Sequence, residues 1–112
     1  MTQAELFTQL KTTGYPVAYH HFKVDEKNPL PVPPYIVYLR SFDNNISSDK
    51  KVHGKYKNYQ IELYTGKKDL TAEQTLEAVL ENIDADYETS ETFIESEDLY
   101  QVIYQIKFVE KL

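Results

Sequence analysis

The sequence of 112 residues contains no cysteine, no tryptophan and only three glycines. Without cysteine, the chain can form neither a disulfide scaffold nor a metal site built from thiolates. The glycines are isolated from one another, so no glycine-rich loop is present to cradle a phosphate. A G-x-S-x-G nucleophile elbow is missing too. No apolar run approaches the length of a membrane span, and no membrane partner is therefore expected.

The length and charge of the chain narrow the class of protein further. A chain of 112 residues fits one domain, predicted here over 1–112, and can bury a core without covalent staples. Its net charge of −6 argues against a general nucleic-acid binder. The first residues lack the positive and apolar segments of a signal peptide. Ten tyrosines suit half-buried sheet faces and protein interfaces.

Two amphipathic segments predict helices. The first runs from about Thr2 to Lys11, where Thr2 and Glu5 have the spacing of a capping box. The second is predicted to begin at the cap Thr71, with Gln74 completing a second capping box. Its apolar stripe consists of Leu76, Val79, Leu80 and Ile83.

Five segments rich in aromatic and β-branched residues predict strands. They are Pro16 to Phe22, Tyr35 to Leu39, Tyr56 to Thr65, Tyr87 to Ser96 as an edge strand, and Leu99 to Phe108. The predicted fold class is α+β in the order α-β-β-β-α-β-β, with a mainly antiparallel sheet and both helices on one face. The segment from Asp43 to Gly54 is predicted to be a long polar loop, which in a compact domain is usually functional or disordered.

Alternation along the predicted strands separates an apolar sheet face from a polar one. The polar side carries Asn58, Gln60, Glu62, Gln101 and Gln105. We expect part of this polar face to meet a partner.

Histidines are the strongest candidates for metal or catalytic chemistry. His20 and His21 are adjacent on a predicted strand, so their side chains are expected on opposite faces, where they cannot share a metal. His53 could join one of them, but no carboxylate stands at a fixed spacing. No catalytic residue, metal ligand or cofactor is therefore predicted.

Charges are segregated along the chain. A docking loop and basic edge is predicted from Asp43, Asn44, Asn45, Lys50, Lys51, His53, Lys55, Lys57, Lys67 and Lys68. An acidic subunit-contact edge is predicted from Glu73, Glu77, Glu81, Asp84 and Asp86. A basic and an acidic surface on one protein can pair head to tail between copies and close into a ring. The alternative is two ordinary solvated faces.

Four stretches together resemble a known family. They are Pro16 to Phe22 (PVAYHHF), Pro33 to Tyr38 (PPYIVY), Asn58 to Thr65 (NYQIELYT) and Tyr100 to Tyr104 (YQVIY). The chain is similar over about Glu5 to Phe108 to the tail-completion proteins, or tail terminators, of long-tailed phages and Gram-positive prophages. These head–tail joining proteins are not enzymes, so the resemblance brings no catalytic residue.

The resemblance implies a small α+β protein that forms a ring, typically hexameric, on the head-proximal end of the tail tube. Such a ring ends tube polymerisation and joins the tail to the head. The implied partners are its own copies, the tail tube protein, the head connector protein and, without specificity, passing DNA. The implied locations are the host cytoplasm during assembly and then the virion. If the two charged edges pair between subunits, changing Lys67 and Lys68 to glutamate should block ring formation.

Three other functions stay open at this point. Another head–tail connector protein would share the size and charge. A stand-alone regulatory or ligand-binding domain would need a pocket, which tyrosines could line. An enzyme would have to use His20, His21 or His53, and stoichiometric metal binding would support that possibility.

Overall fold

The computed structural model describes residues 1–48 and 51–111, with side chains described over 1–43 and 54–109. The elements are α1 (Gln3–Lys11), β1 (Val17–Tyr19), β2 (Tyr35–Ser48), β3 (Lys51–Thr65), α2 (Leu70–Asn82), β4 (Asp86–Ile94), a 3₁₀ turn (Glu95–Glu97) and β5 (Leu99–Lys111). The predicted α+β class and the order of helices and strands are confirmed.

The five strands form one mixed sheet in the order β1-β2-β3-β5-β4. The pairs β2–β3, β3–β5 and β4–β5 are antiparallel, whereas β1 runs parallel to β2. A parallel pair requires a crossover connection, and residues 20–34 supply it without a helix. Phe22 in this crossover packs edge-to-face on Tyr35, with ring centroids 5.4 Å apart.

The core lies between the two helices and one face of the sheet, here called the helix face. Leu6 and Leu10 of α1 and Leu76 and Leu80 of α2 are fully buried. The sheet contributes Ile36, Tyr38, Tyr59, Ile61, Leu63, Val102, Tyr104, Ile106 and Phe108 to the same cluster. Burial of each large apolar side chain stabilises the fold by about 1.5–3 kcal/mol. The opposite side is called the helix-free face.

The prediction of a polar loop from Asp43 to Gly54 is wrong. β2 and β3 instead continue as an antiparallel hairpin, with register pairs from Asp43 with Lys57 to Ser48 with Lys51. The described core residues of β2 end at Tyr38, and its side chains from Arg40 to Asp43 are exposed, so no apolar alternation leads into the hairpin. Backbone pairing with β3 holds it, and register shifts interrupt the β2–β3 ladder between Arg40 and Phe42 and between Ile46 and Ser47. Residues 39–48 and 51–58 are called the hairpin arm.

The two helix starts differ in how well the sequence predicts them. The capping box of Thr2 and Glu5 at α1 is confirmed, with both hydrogen bonds present. At α2 the predicted cap Thr71 is wrong, because the Asp69 side chain accepts a hydrogen bond from the Ala72 N–H at 3.0 Å. Threonine and aspartate are both common N-caps, so residue type alone does not choose between positions two apart.

We expect Asp69→Ala to lower the free energy of unfolding by about 1 kcal/mol, because it removes this N-cap. Thr71→Ala is the matched control, since Thr71 lies inside α2 and is exposed; its effect should stay within about 0.5 kcal/mol. Urea denaturation of both variants measures the difference. A larger loss for Thr71→Ala than for Asp69→Ala would contradict the observed cap.

Candidate interaction surface

A chain of polar side chains joins β3 and β5 across the helix-free face. The Tyr64 hydroxyl donates to Glu62 at 2.8 Å, and Gln101 Nε2 donates to the Tyr64 oxygen at 2.8 Å. On the other side, Gln60 Nε2 donates to Glu62 at 2.5 Å, and Gln105 Nε2 donates to Gln60 at 2.7 Å. Each side chain fixes the next one, so the face presents an ordered polar surface rather than mobile groups.

This arrangement also alters the ionisation of Tyr64. Burial raises the pKa of the Tyr64 hydroxyl, and its hydrogen bond to the Glu62 carboxylate raises that pKa further. The hydroxyl therefore stays protonated and keeps donating to Glu62. The sequence prediction of a polar sheet face is confirmed by the half-buried Asn58, Gln60, Glu62 and Gln101 together with the exposed Gln105.

A groove of about 510 Å³ lies beside this polar chain, where the hairpin arm meets β5 and β4. Its lining consists of Phe42, Asn58, Asp86, Tyr87, Glu88, Gln105, Ile106 and Lys107. The Phe42 side chain is 58% exposed, which is a large apolar exposure for an aromatic ring on an otherwise polar segment. Aromatic rings in such settings are common anchors of protein interfaces.

Among the basic residues predicted on the hairpin arm, Lys57 lies near an acidic side chain. Lys57 Nζ lies 3.0 Å from the Asp43 carboxylate, and Arg40 lies 3.9 Å from the same group. Lys55, two residues before Lys57 on β3, is half-buried. Lys50 lies outside the described residues, as do the side chains of Asn44, Asn45, Lys51 and His53.

Lys67 and Lys68 lie at the opposite end of β3 and do not join the lysines of the arm. Lys55 and Thr65 are ten residues apart on this strand, a distance of roughly 33 Å. Lys68 Nζ also contacts Glu73 at 2.7 Å and the Glu91 carboxylate. Hydrogen bonds to Glu73 and then to Glu91 raise the pKa of Lys68. The predicted basic edge is therefore two separate sites, and each contains a lysine that is paired with a carboxylate of the same chain, Lys57 in the arm and Lys68 at the opposite end.

The predicted acidic edge also divides, into residues that contact another part of the chain and residues that are exposed. Glu73 binds Lys68, and Glu77 accepts a hydrogen bond from the Tyr104 hydroxyl at 2.7 Å. Glu81, Asp84 and Asp86 are exposed, and Asp86 lines the groove. These three carboxylates are the members of the predicted edge that face outward.

The expectation that His20 and His21 point to opposite sheet faces is wrong. β1 ends at Tyr19, and His20 has a φ of 67° in the turn that follows. Their Nδ1 atoms lie 3.0 Å apart. No sequence pattern marked this turn, because left-handed residues are usually glycine or asparagine.

Comparison with known proteins assigns no family, since no family model and no curated protein matches the chain. Over the described residues no helix is long and apolar enough to cross a membrane. The same part of the chain holds no group of three or more histidine, aspartate or glutamate side chains arranged to bind a metal.

Proposed function

We propose that this protein is a tail-completion protein of a long-tailed phage or prophage. In this role it assembles with its own copies into a ring, typically hexameric, at the head-proximal end of the tail tube. The ring ends tube polymerisation and joins the tail to the head connector. The protein acts in the host cytoplasm during assembly and then remains in the virion. The proposal starts from the resemblance of the four sequence stretches given above.

The hairpin arm is the observation that carries the proposal. β1 pairs with β2 at Ile36, Val37 and Tyr38, so within the described residues no strand covers the outer edge of residues 39–48. Unpaired edges and extended hairpins expose backbone groups that another chain can use. The molecule measures 51 × 30 × 25 Å, long enough to contact neighbours away from its core. A ring-forming protein needs such contact surfaces.

The distribution of charge supports head-to-tail contact between copies. The outward-facing acids Glu81, Asp84 and Asp86 lie after or at the end of α2, whereas Lys67 is exposed at the turn after β3. Different surfaces with opposite charge favour a heterologous contact, the kind that closes into a ring. Lys67→Glu alone is the cleaner test of this contact, because Lys68→Glu would also break the internal pairs with Glu73 and Glu91.

The charge balance also suits a channel through which DNA passes. Lys57 and Lys68 are neutralised by carboxylates within the chain, and the net charge is −6. The negative net charge disfavours tight contact with phosphates, so binding to DNA should be weak and without sequence preference.

Electron microscopy of particles made after deletion of this gene from its phage tests the proposal. We expect filled heads separated from tails of excessive or irregular length, and the wild-type gene supplied in trans should restore intact virions. Detached tails of normal length would instead assign a different head–tail joining role. Normal infectious particles would refute the structural role altogether.

A further inference from the structure

The backbone at the end of β1 has an unusual conformation. His20 has a φ of 67°, and the His21 N–H donates to the Tyr19 carbonyl at 2.7 Å. A hydrogen bond from residue i+2 back to residue i around a positive φ is a γ-turn of the rare, strained type. The His20 N–H also donates to the Tyr38 carbonyl at 2.8 Å, which fixes this turn to β2. Strained residues of this kind occur preferentially at functional sites.

The turn brings two imidazoles together on the surface. The Nδ1 atoms of His20 and His21 lie 3.0 Å apart, and the rings are perpendicular with centroids 5.2 Å apart. A hydrogen bond between two such nitrogens leaves one of them a donor and the other an acceptor. Both side chains are exposed, so a solute can reach the nitrogens.

Aromatic contacts hold the chain on both sides of the pair. Tyr19 packs on Tyr38 with ring centroids 5.1 Å apart, and its hydroxyl oxygen accepts a hydrogen bond from the Arg40 N–H at 3.2 Å. On the other side, Phe22 packs on Tyr35 at 5.4 Å. The two imidazoles are therefore carried on a backbone that is fixed before any ligand arrives, which lowers the entropy cost of binding.

We propose that His20 and His21 form a bidentate site for a divalent late transition-metal ion, Cu²⁺ or Ni²⁺. Metal–imidazole bonds of about 2.0–2.1 Å and a nitrogen separation of 3.0 Å give a ligand–metal–ligand angle of roughly 91–97°. That angle is near the right angle of square-planar or octahedral coordination and well below the tetrahedral value. Cu²⁺ and Ni²⁺ favour imidazole ligands in square-planar or tetragonal geometry.

Binding replaces the hydrogen bond between the rings with two metal bonds. Each imidazole then offers the Nδ1 lone pair and carries its hydrogen on Nε2. Within the described residues no third histidine or carboxylate completes a cluster. The remaining coordination positions are therefore open to water or to a group from another molecule. The site is independent of the proposed role in tail completion.

Titration of the purified, untagged protein with Cu²⁺, followed by calorimetry and electron paramagnetic resonance, tests this site. We expect one ion per chain with two coordinated imidazole nitrogens. His20→Asn removes one ligand and keeps a residue that tolerates positive φ. It should weaken binding about a hundredfold, because chelation by the linked pair is lost. His21→Asn should do the same.

His53→Asn is the matched control, since it removes the remaining histidine of the chain and should leave binding unchanged. Circular dichroism of each variant verifies that it is folded. Equal affinity in His20→Asn, His21→Asn and the unaltered protein would overturn the proposal. So would loss of binding in His53→Asn, or a resonance signal without coupling to two imidazole nitrogens.

Discussion

Phe42→Asp is expected to prevent assembly while leaving the fold intact. Phe42 is 58% exposed on the hairpin arm and lines the groove, so the change removes only part of the buried area of one side chain. The free energy of unfolding should therefore fall by about 1–2 kcal/mol, which a domain of ordinary stability tolerates. If Phe42 anchors a contact with a neighbouring subunit or the tube, its loss costs about 2 kcal/mol or more per contact, which is at least a 30-fold loss of affinity.

The added aspartate would strengthen this effect. Asp86 and Glu88 line the same groove, so a third carboxylate would repel any acidic partner surface and would be costly to bury in a contact. The measurement is complementation of the deletion phage by plasmid-borne variants, scored as infectious titre. We expect the titre to fall at least about 30-fold relative to the wild-type gene.

Val32→Asp is the matched control for this change. Val32 lies in the crossover segment, is 85% exposed, and also exchanges an apolar side chain for a carboxylate. It should support a near-normal titre if the contact belongs to the hairpin arm. A normal titre for Phe42→Asp, or an equal loss for both variants, would show that the arm is not a specific contact surface.

The sequence predicts this fold best where one face of an element is buried. The helix stripes and the alternation of β3 and β5 reflect direct contact with the core. Leu76 and Leu80, for example, are fully buried, and so are Ile61 and Leu63. Burial constrains residue type at these positions, and the pattern is therefore visible in the sequence.

The hairpin arm escapes sequence prediction for the opposite reason. From Arg40 to Asp43 every side chain of β2 is exposed, so polar residues are tolerated at consecutive positions. The strand is held by its backbone ladder with β3, which leaves no hydrophobic period. The same argument applies to the groove, since Phe42 is brought beside Asp86 and Lys107 by sheet pairing.

The histidine pair was missed because it depends on one backbone angle. Adjacent residues on a strand face opposite ways, and the positive φ of His20 reverses that rule. The parallel pairing of β1 with β2 was also unexpected, although residues 20–34 are long enough for a crossover. The turn at His20 and the crossover of residues 20–34 both lack an apolar pattern, so the sequence does not reveal either of them.

Alkaline pH is expected to destabilise the protein through two tyrosines with a raised pKa, the buried Tyr104 and the half-buried Tyr64. Burial raises the pKa of Tyr104, and the hydrogen bond to Glu77 raises it further; burial also raises the pKa of Tyr64. In the unfolded chain both hydroxyls ionise near pH 10, while in the folded chain they keep their protons. The unfolded state then binds fewer protons, so the free energy of unfolding falls as pH rises.

The size of this loss follows from proton linkage. Each tyrosine with a raised pKa makes its full stabilising contribution below about pH 10. Above about pH 10 this contribution declines by about 1.4 kcal/mol per pH unit until the hydroxyl of the folded protein ionises. Tyr104→Phe removes one such group. We expect the decline measured by urea denaturation between pH 10 and 11.5 to become shallower by about 1.4 kcal/mol per pH unit.

Ile106→Val is the matched control for this experiment. Ile106 is a buried core residue on the same strand as Tyr104, and the change removes one methyl group but no hydroxyl. It should lower the free energy of unfolding by about 1 kcal/mol at every pH and leave the alkaline slope unchanged. An unchanged slope for Tyr104→Phe would mean that Tyr104 ionises in the folded protein as readily as in the unfolded chain. Its contact with Glu77 would then contribute nothing to the pH dependence of stability.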